Sequence, residues 1–304
     1  MKRRLEIPRI SKEDRAGLNL SATGLFMHCC SANSRSLSSV GKRYVVAPVL
    51  LVFVSVVSCL VSGIDLYTTV PQALGMGQAY TARARGPLSP LWNPAAISKL
   101  PGLHGALAIS FSPEAEGVLF GGGSLVGSEG QSFGLVVAQG KDKGQGSGTL
   151  AFRILRGVFI GGSLASVSQT DSQGISFNAG VLVRGTTWSL GAGLYHLDAG
   201  ILGTDLPLRI HVDASVEVVA GSRLAVDLHL EAGNGRVALG VQTKVWAFDL
   251  HWGAAISLGG GLSHAGLGVG FVLFDLPADF SIGFTGADQQ LWISGGVEGT
   301  IPLW

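Results

Sequence analysis

After residue 59 this chain has no cysteine: Cys29, Cys30 and Cys59 are its only three. Everything downstream therefore lacks a disulfide, a thiolate nucleophile and a cysteine-held metal. Charge is also scarce. Asp, Glu, Lys and Arg make up 13% of 304 residues, and the mean hydropathy is +0.42, so water is not this chain's only solvent. A basic face is missing too. Nine of the 21 Lys and Arg residues, but only three of the 20 acids, lie in residues 1 to 43, which leaves 12 basic against 17 acidic residues from Ile64 onward. That balance excludes the electrostatic footprint of a nucleic-acid binder. Beyond residue 104 no apolar run reaches the roughly 18 residues of a membrane helix.

Glycine is what the chain has in abundance, 46 of 304 residues. These glycines follow no triplet period and sit among Val, Leu, Ile and Phe, which argues against collagen and against low-complexity disorder. In strands they mark bends and close packing of a curved sheet.

The organisation begins with an export segment. Lys42-Arg43 precedes an apolar stretch from Tyr44 to a small-residue exit at Gly63, the layout of a secretory signal peptide over 42–63. The run is long enough for an uncleaved anchor, and Val56-Val57-Ser58-Cys59 also resembles a lipobox that would acylate Cys59. Residues 1–41 carry no sustained periodicity and read as a disordered extension or a start codon assigned too far upstream.

The body is written in alternation. Over Leu208–Val218, Leu208, Ile210, Val212, Ala214, Val216 and Val218 share one face while Arg209, His211, Asp213, Ser215 and Glu217 share the other. After Ala220-Gly221-Ser222 the pattern resumes, with Leu224, Val226, Leu228 and Leu230 against Arg223, Asp227, His229 and Glu231. Two further strands set Val237, Leu239, Val241 and Val245 against Arg236, Gln242 and Lys244, then Phe248, Leu250, Trp252 and Ile256 against Asp249, His251 and Ser257. Weaker strands at about 104–112, 116–125, 131–139, 147–155, 158–168, 174–184, 187–197, 262–274, 279–286 and 290–302 bring the expected total to about 14. In a soluble barrel the charged face would form the core, at several kcal/mol for each unpaired charge. Lipid outside and a wet lumen inside is the cheaper assignment, and only a closed barrel satisfies a strand backbone in lipid. The fold class is all-β, a transmembrane antiparallel barrel of about 14 strands over 104–304. Its lumen lining is expected to include Arg209, His211, Asp213, Glu217, Asp227, His229, Glu231, Arg236, Lys244, Asp249 and His251. Connections are short, except for Asp198 to Pro207. Trp188, Trp246, Trp252, Trp292 and Trp304 are candidates for interfacial belts. The C-terminal Trp304 fits a terminal aromatic read during insertion, and Pro302 fits a final strand poorly.

Between signal and barrel, residues 64–103 contain Ala73-Leu-Gly-Met-Gly-Gln-Ala-Tyr-Thr-Ala and then Pro90-Leu-Trp-Asn-Pro-Ala-Ala-Ile. This pair resembles the N-terminal region of the FadL/OmpP1-like outer-membrane family and its PorV/UPF0164-type relatives, in which a Gly-Met-Gly-Gly-Ala-like element leads to Asn-Pro-Ala-Gly and forms a hatch inside a 14-stranded barrel. The resemblance implies passive uptake of long-chain fatty acids or other hydrophobic small molecules across the outer membrane of a diderm bacterium. PorV-like members instead imply a scaffold or shuttle in protein secretion. The implied partners are outer-membrane lipid, the hydrophobic ligand and the barrel-assembly machinery, with no nucleic acid and no cofactor. Hatch residues carried over are Gly75, Met76, Gly77, Tyr80, Asn93, Pro94 and Ala95. From the residues themselves, Gly75 and Gly77 permit close backbone approach, and Asn93-Pro94 suits the N-cap and first position of a short helix through Lys99. Arg83 and Arg85 depart from the family's acidic residues, and Ala96 stands where its last glycine is usual. The two arginines are expected to pair with Asp213, Glu217, Asp227 or Glu231 and hold the hatch shut.

Enzymatic chemistry finds little support. Asp227, His229 and Glu231 project to one side, yet no second motif completes a metal ligand set or fixes a nucleophile. Gly121-Gly-Gly-Ser124 and Gly259-Gly-Gly261 lack the lysine and helix of a phosphate loop.

Overall fold

The computed structural model describes residues 70–302, apart from 98–100, 113–116, 141–142, 170–171, 198–205 and 286–289. The export segment 42–63 with Cys59, the extension 1–41, Lys99, most of the 198–207 connection and Trp304 lie outside the described residues.

Two-faced strands with tight turns between them have one low-energy arrangement in which no edge stays open, and the chain takes it. Fourteen strands form a closed barrel, each paired with its sequence neighbour. They are β1 (Gly102–Phe111), β2 (Val118–Val126), β3 (Gln131–Gln139), β4 (Lys143–Leu155), β5 (Val158–Gln169), β6 (Ser172–Arg184), β7 (Trp188–Tyr195), β8 (Arg209–Val219), β9 (Ser222–Glu231), β10 (Asn234–Val245), β11 (Phe248–Ser257), β12 (Leu262–Leu273), β13 (Leu276–Thr285) and β14 (Gln290–Ile301). The ring closes where β1 meets β14 antiparallel, from Leu103 opposite Ile301 to Phe111 opposite Ile293. The expected strand number and antiparallel closure are what the structure has.

Faces follow the alternation. Along β8 and β9, Val212, Val216, Leu224, Val226 and Leu230 are exposed while His211, Asp213, Ser215, Asp227 and His229 are buried. Exposed Leu, Ile, Val and Phe side chains recur on strands all round the barrel. The exposed charges Arg153 and Lys244 stand near the ends of β4 and β10. An apolar outer band with charge kept to its rims is the surface that hydrocarbon requires.

Three strand assignments are corrected. β4 begins at Lys143 rather than 147, because Gly144, Gly146 and Gly148 continue the ladder with β3 and β5 although their composition reads as a turn. β13 starts at Leu276 and takes in Pro277. Pro302 follows the end of β14 at Ile301, so the ladder loses no donor there.

The tryptophans divide. Trp292 is buried and faces the interior, and Trp252 lies mid-strand in β11 opposite Val241 and Leu267; neither sits in a belt. Trp188 opens β7, and Trp246, 91% exposed, forms a turn tip. Both are at the end of the barrel where β1 starts and β14 finishes. That end has the tight turns Arg156–Gly157, Ala220–Gly221, Trp246–Ala247 and Phe274–Asp275, whereas the opposite end carries the connection from Tyr195 to Arg209.

Candidate functional site

Residues 70–97 lie inside the barrel and touch its wall on many sides. The segment has one short helix, α1 (Pro71–Gly75), and two 3-10 helices, Ser89–Leu91 and Pro94–Ile97. Nearly all of it is buried, with Ala73, Ala79, Ala84, Ala95 and Ala96 fully inaccessible. Small side chains let a backbone run this close to a wall, and the wall is shaped to match.

Gly240, Gly253, Gly266 and Gly283 face one another in register across β10, β11, β12 and β13. A Cβ added at Gly253 would lie 2.1 Å from Met76 O, one at Gly266 1.8 Å from Leu74 O, and one at Gly283 2.8 Å from a Leu74 side-chain carbon. In the other direction, a Cβ on Gly77 would meet Ala254 N at 2.2 Å. Gly77 also has φ of 57°, a left-handed conformation that favours glycine. The Gly-Met-Gly element is thus a backbone-on-backbone contact between two sets of glycines, with Met76 buried against Gly240.

The Asn-Pro-Ala element has its own seat. Gly161 and Gly180 are register partners on β5 and β6; a Cβ on Gly161 would lie 2.5 Å from Pro94 C and one on Gly180 2.2 Å from Asn93 Oδ1. Asn93 Oδ1 accepts from Ala95 N at 3.0 Å, an N-cap bond, while Nδ2 donates to Val181 O at 2.9 Å. The expected cap is present, on a 3-10 helix. Asn93→Ala is expected to cost the segment's attachment about 1–2 kcal/mol, read as faster protease cleavage within 70–97. Asn93→Asp, which keeps the cap oxygen but not the amide donor, should fall between.

The two elements are tied together. Tyr80 packs edge-on against Trp92 with ring centroids 5.7 Å apart. Its hydroxyl donates to Gln72 Oε1, and Gln72 Nε2 donates to Asp279 Oδ2 of β13 at 2.5 Å. Burial pushes the Tyr80 phenol above its ordinary range, so it remains a neutral donor.

The polar wall is a ladder on β8 and β9. Directly opposed pairs run Arg209 with Glu231, His211 with His229, Asp213 with Asp227, and Glu217 with Arg223. Arg209 Nε lies 2.9 Å from Glu231 Oε1, and Arg223 Nη2 is 3.2 Å from Glu217 Oε2. The histidine rings lie 4.1 Å apart between centroids, tilted 40° to each other. Asp213 Oδ2 accepts from Ala82 N at 2.7 Å and Asp227 Oδ2 from Thr81 N at 3.1 Å. Ser189 Oγ donates to Ala82 O at 3.1 Å, and Arg184 Nη2 to Ala84 O at 3.1 Å. The wall therefore grips the segment by its main chain.

This differs from the expected pairing of Arg83 and Arg85 with wall carboxylates. Asp213, Asp227, Glu217 and Glu231 are engaged by Ala82, Thr81, Arg223 and Arg209 respectively. Consecutive N–H groups reach the carboxylates first because Gly191 lets the Ala82 backbone come against β7; a Cβ there would lie 2.9 Å from Ala82 Cα. Arg83 and Arg85 instead line a cavity with Arg184 and Arg223. Burial, then the neighbouring Arg85 and Arg223, lower Arg83 to about 10, which leaves it charged at neutral pH.

Of the remaining expected lining residues, Arg236 Nη2 lies 3.3 Å from His229 Nδ1, His251 is buried beside Ser281, and Lys244 stands opposite Asp249 near the short-turn end. At the opposite end a cavity of about 920 Å³ has Arg209, His211, His229, Glu231, Arg236 and His264 in its wall. The segment lies between this cavity and the arginine-lined one. Arg184, Ser189 and the wall glycines escaped sequence reading. The glycines did leave a signal, since Gly240 and Gly253 share the inward parity of Arg236 and His251.

These features define a class: a closed, apolar-surfaced barrel whose lumen is occupied by its own N-terminal segment. Known proteins do not refine it further. No family model matches the chain, and no curated protein does. Among solved structures, a triple mutant of the porin of Rhodopseudomonas blastica is 11% identical with a TM-score of 0.41, covering 66% of this chain and 99% of the porin. A double mutant of the same porin gives the same values. The closed barrel follows from the chain's own strand register.

Proposed function

We propose that the chain is an outer-membrane barrel that conducts small molecules passively, with residues 70–97 as the hatch that opens and closes it. The observation that carries this reading is the fit between the segment and the wall: noncovalent, small-residue and main-chain in character, hence reversible. The short turns mark the periplasmic end, by the usual asymmetry of outer-membrane barrels, so the larger cavity faces outward. The family resemblance makes the cargo a long-chain fatty acid or another hydrophobic compound. The Arg, His and Glu side chains of the outer cavity favour a cargo that also bears a polar group over a pure hydrocarbon. A sealed barrel serving as a scaffold in protein secretion is the competing reading, favoured by how closely the segment fits.

Conductance in planar bilayers and labelled fatty-acid uptake in cells separate the two. Deleting residues 71–97 is expected to convert rare or absent openings into a persistent conductance and to raise uptake, with the barrel verified by heat-modifiable gel migration. A verified barrel that stays closed to ions and fatty acid after the deletion would overturn the channel reading.

A further inference from the structure

At the short-turn end the lipid-facing rows of the barrel finish differently on its two sides. On β4, Leu150, Phe152 and Ile154 are exposed at every second position and the row stops at the exposed Arg156. The β3 row through Phe133 and Gln131 stops at Glu129. The turn after β6, Gly185-Thr186-Thr187, is exposed and polar, and Trp188 lies back on it, so close that a Cβ on Gly185 would sit 2.4 Å from the indole Nε1. From β8 to β13 the rows end in apolar side chains. Val212 and Val216 of β8 continue to Val218 and Val219 beside the turn; Trp252, Leu250 and Phe248 of β11 run on to Trp246, and Phe280 and Leu276 of β13 to Phe274. Trp246 and Phe274 are 91% and 90% exposed. Their backbones are a second, independent sign. Arg156-Gly157 and Ala220-Gly221 give the left-handed position of the turn to glycine, with φ of 79° in both, whereas Trp246 and Phe274 adopt φ of 55° and 50° with an aromatic side chain. Two-residue hairpins favour Gly or Asn there, and the conformation is costly for a bulky residue. Such strain persists where the side chain is put to use.

We propose that this crescent of turns, Val218–Val219, Trp246 and Phe274, is immersed in the membrane leaflet at the short-turn end, so that the barrel sits deeper there on its β8–β13 side than on its β2–β7 side. The occupant is lipid, because the tips extend rows that already face hydrocarbon with no change of parity: 246, 248, 250 and 252 share one face, as do 274, 276 and 280. Charge on this side belongs to the other face. Lys244 and Asp249, opposite each other in register, have the lumen-facing parity of Gln242 and His251. Asp275, at the Phe274 tip, holds the depth at headgroup level, which is also where an indole ring sits best. Glu129 and Arg156 mark the water level on the opposite side. By the orientation proposed above, the leaflet is the periplasmic one. The inference rests on the barrel crossing a membrane and not on the passage of any cargo.

The test is tryptophan fluorescence of the full-length chain in phosphatidylcholine vesicles whose acyl chains carry bromine either near the headgroup or deep in the bilayer. Emission of Trp246, read as the difference between wild type and Trp246→Phe, is expected to be blue-shifted, to lose most of its intensity to the bromine near the headgroup, and to resist aqueous iodide. A tryptophan introduced by Phe274→Trp should behave in the same way. One introduced by Thr186→Trp should do the reverse, quenched by iodide and untouched by the lipid. Trp252, mid-strand and read through Trp252→Phe, reports whether the barrel crosses the bilayer, since a spanning barrel exposes it to the deep bromine. Trp252 untouched by brominated lipid would overturn the membrane barrel and this inference with it. Trp252 quenched by the deep bromine, while Trp246 and Phe274→Trp answer to iodide and not to lipid, would overturn the inference alone, and the crescent would then be a surface for a protein. Equal lipid quenching at Thr186→Trp would overturn its one-sidedness. Heat-modifiable migration confirms folding of each variant.

Discussion

Gly253→Leu and Gly266→Leu are each expected to unseat the hatch and leave the barrel closed upon itself. An added Cβ would lie 2.1 Å from Met76 O at the first position and 1.8 Å from Leu74 O at the second. Both obstacles are main chain, so no rotamer change relieves them. The strands cannot yield easily, because Gly253 and Gly266 are register partners with paired residues on both sides in a ladder that shifts register only beyond Ala255. What moves is α1. Overpacking costs about 1–3 kcal/mol, and a backbone clash this close falls at the upper end. At 1.4 kcal/mol for each factor of ten, that shifts the balance between seated and displaced hatch by about ten- to a hundredfold. The readout is open probability in bilayers together with the rate of protease cleavage within 70–97, both rising. Gly105→Leu is the matched control: it places the same side chain on a strand, where an added Cβ meets nothing within 4 Å. Equal behaviour of Gly105→Leu and Gly266→Leu would mean that the glycines serve strand geometry rather than the fit of the hatch.

The barrel was legible because its physics repeats. Each of β8 to β11 must be apolar toward lipid and polar toward the lumen, so every second residue states its face, and the four strands agree. The Gly-Met-Gly and Asn-Pro-Ala elements were legible as a compact, cappable segment. Their partners were not, since a glycine on the inward face of a strand looks the same whether it bends the sheet or receives a backbone. Only the register shows that Gly240, Gly253, Gly266 and Gly283 form one row. The role of the wall carboxylates was missed for a related reason. Charge in the sequence suggests side-chain partners such as Arg83 and Arg85, while the bonds to Thr81 and Ala82 depend on main-chain donors that every residue carries. The arginine cluster joins residues 83, 85, 184 and 223, separations across which no local pattern operates.

Removing both carboxylates of the clamp is expected to release the hatch more completely than the two single changes together would suggest. Asp213 and Asp227 bond to adjacent N–H groups, those of Ala82 and Thr81, and hydrogen bonds to charged groups contribute about 1.5–3 kcal/mol each. The two acids also stand directly opposite each other on β8 and β9, where like charges destabilise a sheet. A single Asp→Ala change therefore loses one bond but relieves that repulsion. The double change loses both bonds and can relieve the repulsion only once. The double-mutant cycle should accordingly give a destabilisation larger than the sum of the singles, measured as protease-accessible hatch population under conditions where reclosing outpaces cleavage. A different physics gives the opposite sign: if loss of either bond alone already frees the 81–82 turn, the second change adds little and the cycle is sub-additive. Asp→Asn at both positions separates charge from geometry, because the amide keeps an acceptor oxygen and lifts the repulsion. A double asparagine variant that holds the hatch as firmly as the wild type would show that the clamp is a matter of acceptor placement. One that releases it would show that the charge of the carboxylates is what holds the main chain in place.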